Sequence, residues 1–126
     1  MALCLALAGC ASSSSGSDGA QPAPLMHLVY IQLLDPGDLD ELRADCVRLL
    51  TGIPGVHDLA LGTHFESGRE TVDSDYDLLL FMRFDDGDDY RAYVEHADHV
   101  ALVDKWRARF RSLTVSDAWA DSLGAR

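Results

Sequence analysis

The segment that most constrains this chain runs from Tyr76 to Phe84. It has the chemistry of a strand, with apolar side chains on both faces: Tyr76, Leu78, Leu80, Met82 and Phe84 on one, Leu79 and Phe81 on the other. Helices packed on a sheet cover one face. The other would leave an apolar patch in water beyond the roughly few hundred Å² that soluble monomers expose. The simplest cover is a second copy of the same sheet, packed face to face about a twofold axis. A homodimer is therefore expected from this strand alone.

The flanking patterns supply the rest of the fold. His27–Leu34 is β-branched and aromatic and ends at Asp35-Pro36-Gly37, a strand followed by a turn. Asp38 with Glu41 three residues later opens a helix like a capping box, and Leu39, Leu42, Cys46 and Leu49 continue its apolar stripe. Gly52 and Pro54-Gly55 stop it. Alternation from Val56 to Phe65 predicts a second strand, and the polar stretch Glu66–Ser74 a loop. After the Tyr76–Phe84 strand, Asp85–Asp88 starts a helical region whose apolar spacing continues through Val100, Val103, Trp106 and Phe110. Leu113, Val115 and Trp119 alternate with polar and small residues as a last strand. The order βαββαβ, with the second helix split, is an α+β, ferredoxin-like protomer.

Composition sets limits on function. The 126 residues carry a net charge of −11, with 21 acidic residues against 10 basic ones. That length suits one domain. Nucleic-acid binding is not expected, since phosphate contacts need clustered Lys and Arg, and Lys105 is the one lysine. Arg107, Arg109 and Arg111 alternate by two, so on a helix they would fan out and form no single basic face. His96 and His99 have no third ligand at a characteristic spacing, and no phosphate-binding glycine loop occurs, so neither metal nor cofactor is expected.

The N-terminal segment reads as an address. Residues 1–10, MALCLALAGC, are a short apolar run, and Leu7-Ala8-Gly9-Cys10 resembles the bacterial lipobox, which implies lipidation at Cys10. Residues 11–26 are Ser-, Gly- and Pro-rich and read as a flexible tether, with the domain spanning 27–126. The expectation is a lipoprotein outside the cytoplasm, at the bacterial cell envelope, touching the membrane only through its lipid anchor. Cys46 is then left without a partner and, on an apolar helix stripe, reads as a buried small hydrophobe.

Several pieces together resemble the stress-responsive dimeric α/β-barrel (Dabb) domain. They are His27-Leu28-Val29-Tyr30, Ile53-Pro54-Gly55-Val56, Gly62, Tyr76-Asp77-Leu78, Phe84-Asp85-Asp86, Tyr90, Tyr93 and His96-Ala97-Asp98-His99-Val100, in order across His27–Ala120. The resemblance implies a ferredoxin-like protomer whose sheet pairs with that of a twin into a barrel. The family commonly has His-Pro-Ala-His where Ala97-Asp98 stands here, and without the proline the helix is expected to run on more smoothly past His96.

The candidate site is Tyr93, His96 and His99, with His27 and Tyr30 from the first strand and Tyr76 from the third. Tyr93 and His99 are six residues apart, so an unbroken helix would not place them on one face, whereas a bend near Ala97-Asp98 would bring both to one cavity. The resemblance extends to plant polyketide cyclases and implies catalytic roles for two residues. Tyr93 would orient or polarise a carbonyl, and His99 would abstract the acidic proton, in an aldol-type closure without cofactor. His27, Tyr30, Tyr76 and His96 would contact ligand. The leading expectation is a stress-response barrel domain that binds a small apolar or aromatic molecule or serves structurally without turnover. The rivals are a cyclase-like lyase using Tyr93 and His99 and, by fold analogy alone, an oxygenase acting on a quinone or haem. A cavity faced by Tyr93 and His99 would favour an enzyme, whereas a pocket packed shut by Leu78, Leu80, Phe81 and Trp106 would favour a structural protein.

Overall fold

The computed structural model describes residues 23–121; the expected signal segment, Cys10 and most of the tether lie outside them. Strand β1 (Leu25–Leu33) begins two residues before the expected domain boundary, taking Leu25 and Met26 into the sheet. Helix α1 (Leu39–Leu50) follows a 3-10 turn at Pro36–Asp38, where Asp35 accepts the Gly37 N–H. Strand β2 (His57–Gly62) is shorter than its alternation suggests and carries a register shift between His57 and Ala60. Asp58, in that irregularity, adopts a positive φ of 54° and accepts from Arg83 Nε at 2.7 Å. His64 therefore sits in the loop after β2 and not in the strand.

Strand β3 (Leu78–Phe84), helix α2 (Gly87–Glu95), helix α3 (Ala97–Trp106) and strand β4 (Phe110–Trp119) complete the chain, with a 3-10 turn at Arg107–Arg109. The sheet order is β2-β3-β1-β4 and every pairing is antiparallel. This is the ferredoxin-like arrangement. Its central strands alternate cleanly: Leu25, His27, Val29, Ile31 and Leu33 of β1 and Leu78, Leu80, Met82 and Phe84 of β3 are buried toward the helices. From the helix layer, Leu42, Cys46, Leu50, Leu102 and Trp106 close the core. Gly55 turns the chain from α1 into β2 with φ 87°, and a Cβ there would come within 3.0 Å of Asp89.

Two findings position the site. First, the helices cover β1 and β3 but leave edge strand β4 largely open, so Leu113, Val115 and Trp119 on its helix-facing side stay about half exposed. Second, the helix breaks at His96 despite the missing proline. His96 takes an extended backbone (φ −63°, ψ 138°), and its Nδ1 accepts the Asp98 N–H at 3.2 Å. The imidazole supplies an N-cap, so the cap replaces the proline as the device that ends one helix and starts the next. On the far side of the sheet, Met26, Leu28, Tyr30, Leu79 and Phe81 form an apolar face that no helix among the described residues covers.

A candidate acid–base cavity between α3 and β4

The gap left by the open edge strand is a cavity of about 610 Å³, in the range of small-molecule sites. Its walls are mostly apolar: Val29, Ile31, Leu80, Leu102, Leu113 and Val115 among others. The core does not pack it shut. Leu78 and Trp106 are fully buried elsewhere in the core, Leu80 lines the cavity wall, and Phe81 points to the opposite sheet face.

Polar groups converge at one end. The break at His96 turns α3 back so that the Tyr93 and His99 rings lie 4.4 Å apart between centroids. It also frees the Val94 carbonyl from helical pairing, and His99 Nδ1 donates to that carbonyl at 2.9 Å. The proton is thereby assigned to Nδ1, which leaves the Nε2 lone pair available. Burial lowers the His99 pKa below its ordinary value, which favours the neutral ring near pH 7. Tyr93 is buried too, and burial raises its phenol well above its usual value, so it stays a donor. Its hydroxyl makes no hydrogen bond within the described residues.

His27 lies against this pair, its ring 5.7 Å from that of Tyr93. Its Nδ1 meets Asp117 Oδ1 at 2.5 Å, across the β1–β4 register that sets the two residues opposite each other. Asp117 also accepts from the Tyr90 hydroxyl at 2.8 Å; desolvation and this carboxylate push Tyr90 up to about 12. The result is a carboxylate-oriented imidazole beside a neutral histidine and an unpaired phenol, all bordering an apolar space.

The sequence-derived site residues divide into three groups. His27, Tyr93 and His99 come together at the cavity. His96 caps α3 and does not line the cavity. Tyr30 and Tyr76 pack edge to face, 5.4 Å between centroids, on the far face of the sheet. His27 and Tyr30 are three apart in one strand, so the pleat alone separates them. Asp117 and Tyr90 are site neighbours outside the expected set, although Tyr90 is one of the family-like residues. Asp117 had a signal: it is the one charged residue in the helix-facing series Leu113, Val115, Asp117, Trp119.

The sequence profile of the stress responsive A/B barrel domain matches residues 25–120, which spans every element described. The chain belongs to this Dabb family. A Dabb family protein with a ferredoxin-like fold from Mesorhizobium loti is 23% identical, with a TM-score of 0.68 over 79% of this chain and 99% of that one. A dimeric ferredoxin-like protein of unknown function from Thermobifida fusca is 18% identical, with a TM-score of 0.67 over 79% and 93%. The hydroxynitrile lyase of Passiflora edulis is 14% identical, with a TM-score of 0.70 over 82% and 99%. Comparison with curated proteins gives no match. At these identities the solved structures establish the fold that this Dabb chain shares.

Proposed function

We propose that this Dabb chain is a homodimeric, cofactor-free lyase or cyclase acting on a small, mainly apolar carbonyl compound. The observation that carries the reading is the cavity of about 610 Å³ at whose polar end the His99 Nε2 and the Tyr93 hydroxyl are both left without a protein partner. His99 Nε2 takes the proton from a carbon flanked by carbonyls. The Tyr93 hydroxyl donates to the carbonyl oxygen as it becomes an enolate, which stabilises the charge where it develops. The enolate carbon then bonds to a second carbonyl, and the resulting alkoxide recovers the proton from His99. His27, held by Asp117, lines the same polar end and helps to position the substrate there, without taking part in the proton transfer. Run backwards, the same sequence cleaves a carbon–carbon bond, and the likeness to a hydroxynitrile lyase fits this chemical class.

Two further parts belong to the proposal. The uncovered face of Met26, Leu28, Tyr30, Leu79 and Phe81 supports pairing of two sheets into a dimeric barrel, as does the likeness to dimeric ferredoxin-like proteins. The Leu7-Ala8-Gly9-Cys10 pattern supports lipid attachment at Cys10 and a place at the bacterial cell envelope, outside the cytoplasm. Conversion of a panel of β-polyketone thioesters and cyanohydrins tests the chemistry. Turnover is expected to fall by about 10²–10⁴-fold in His99→Ala, the usual contribution of a positioned proton acceptor. Turnover by His99→Ala at the wild-type rate would remove His99 from the mechanism. Incorporation of an alkyne-labelled fatty acid, lost in Cys10→Ala, tests the anchor.

A further inference from the structure

Cations are scarce in this acidic chain, ten in all, and half of them are closely neutralised. Arg48, Arg83, Arg91, Lys105 and Arg109 each hold a carboxylate within 2.8 Å. Two of the others sit at the cavity. Arg107 and Arg111 both line it, at the end away from Asp117, where the 3-10 turn runs into β4. Arg107 has only a long contact of 3.4 Å to Asp104, and Arg111 has no ion pair among the described residues. The fan expected for three arginines on one helix does not occur. Arg109 turns away to Asp38 and Glu41, while Arg107 and Arg111 face the same space.

We infer that the ligand of this cavity is an elongated carboxylate, its anionic end at Arg107 and Arg111 and its carbonyl end at Tyr93 and His99. Three observations meet in this assignment. Between the two ends the lining is apolar, through Ile31, Leu102, Leu113 and Val115, so the middle of the ligand is hydrocarbon or aromatic. Arg111 precedes Asp117 by six residues on β4, about 20 Å at roughly 3.3 Å per residue. Two guanidinium groups with little or no protein partner are suited to a carboxylate through paired N–H donors. The net charge of −11 repels anions in general, so a carboxylate enters this cavity only if local cations outweigh that field.

The inference rests on the cavity being a small-molecule site, and the test separates the two. Decanoate and decan-1-ol have the same ten-carbon chain and differ in charge. Each is titrated by calorimetry into the full chain and into an Arg107→Gln/Arg111→Gln double variant, which leaves the acid–base groups untouched. Decanoate affinity is expected to fall by about tenfold or more in the double variant, with decan-1-ol affinity unchanged, which also reports an intact fold. Equal changes for the two probes, or none for either, would overturn the anion assignment while leaving the cavity as a binding site. Failure of both probes to bind the unsubstituted chain would overturn both readings.

Discussion

Asp45 is the most consequential polar residue outside the cavity, and replacing it gives a stability change that can be worked from the structure. Its carboxylate is almost fully buried on α1 and accepts from Trp106 Nε1 at 2.9 Å, Lys105 Nζ at 2.5 Å and Arg48 Nη2 at 2.8 Å. Asp45→Ala leaves the indole N–H of the fully buried Trp106 without its acceptor, a loss of about 1–3 kcal/mol. Lys105 and Arg48 are 42% and 62% exposed and return to water, and Lys105 keeps Glu41, so each adds only about 0.2–1 kcal/mol. The sum is about 1.4–5 kcal/mol. Asp45→Asn retains an acceptor for the indole and is expected to lose about half of that. Urea titrations followed by far-ultraviolet circular dichroism, at one fixed protein concentration because a dimer couples folding to concentration, measure both variants. A value for Asp45→Ala within about 0.5 kcal/mol of the unsubstituted chain, or an Asn variant as weak as the Ala variant, would refute the reasoning.

The same carboxylate gives a pH signature. Hydrogen bonds from Lys105 and then Arg48 hold Asp45 far below its usual value of 3.8, and those from Arg109 and Lys105 bring Glu41 from 4.5 to about 2. Both folded values lie below the unfolded ones, so the unfolded chain binds protons first as pH falls. Their stabilisation is complete above about pH 5 and is lost as pH drops through the range below 4. The gap between the unsubstituted chain and Asp45→Asn should therefore be constant from pH 5 to 8 and narrow toward pH 2.

Two further outcomes follow from other parts of the fold. Leu28→Asp or Phe81→Asp, on the face that no helix covers, should convert a dimer into a monomer in light scattering while circular dichroism stays unchanged; persistence of the dimer would move the interface elsewhere. Burial pushes the Cys46 thiol up to about 12, so at pH 8 a thiol-exchange reagent should react with it only after denaturant is added, and rapid labelling of the folded chain would contradict its packing.

Much of the architecture is legible in the sequence because strand and helix periods differ. The alternation of Leu78, Leu80, Met82 and Phe84 names one core face directly, and the stripe of Leu39, Leu42, Cys46 and Leu49 names the helix face, though Leu42, Cys46 and Leu50 are its fully buried members and Leu39 and Leu49 only pack against them. The ends of elements are less legible. Leu25 and Met26 look like the end of a Pro-containing linker, yet pairing with Phe84 and Arg83 draws them into the sheet. The candidate site is half legible. Tyr93 and His99 are visible as candidates either side of an expected bend, but the angle between them is set by a cap that a proline count does not reveal. Asp117 comes to His27 across 90 positions of sequence through strand pairing, a contact that no local pattern encodes.

The break at His96 bears on how divergent chains of this kind are to be recognised. A helix cap asks for an acceptor at the right height above the first turn, and Ser, Thr, Asn or Asp provides one as readily as an imidazole does. Position 96 is thus free to drift while the interruption is kept. The same local arrangement is better sought in a cap-forming residue flanked by a tyrosine three before and a histidine three after than in a matching pair of histidines.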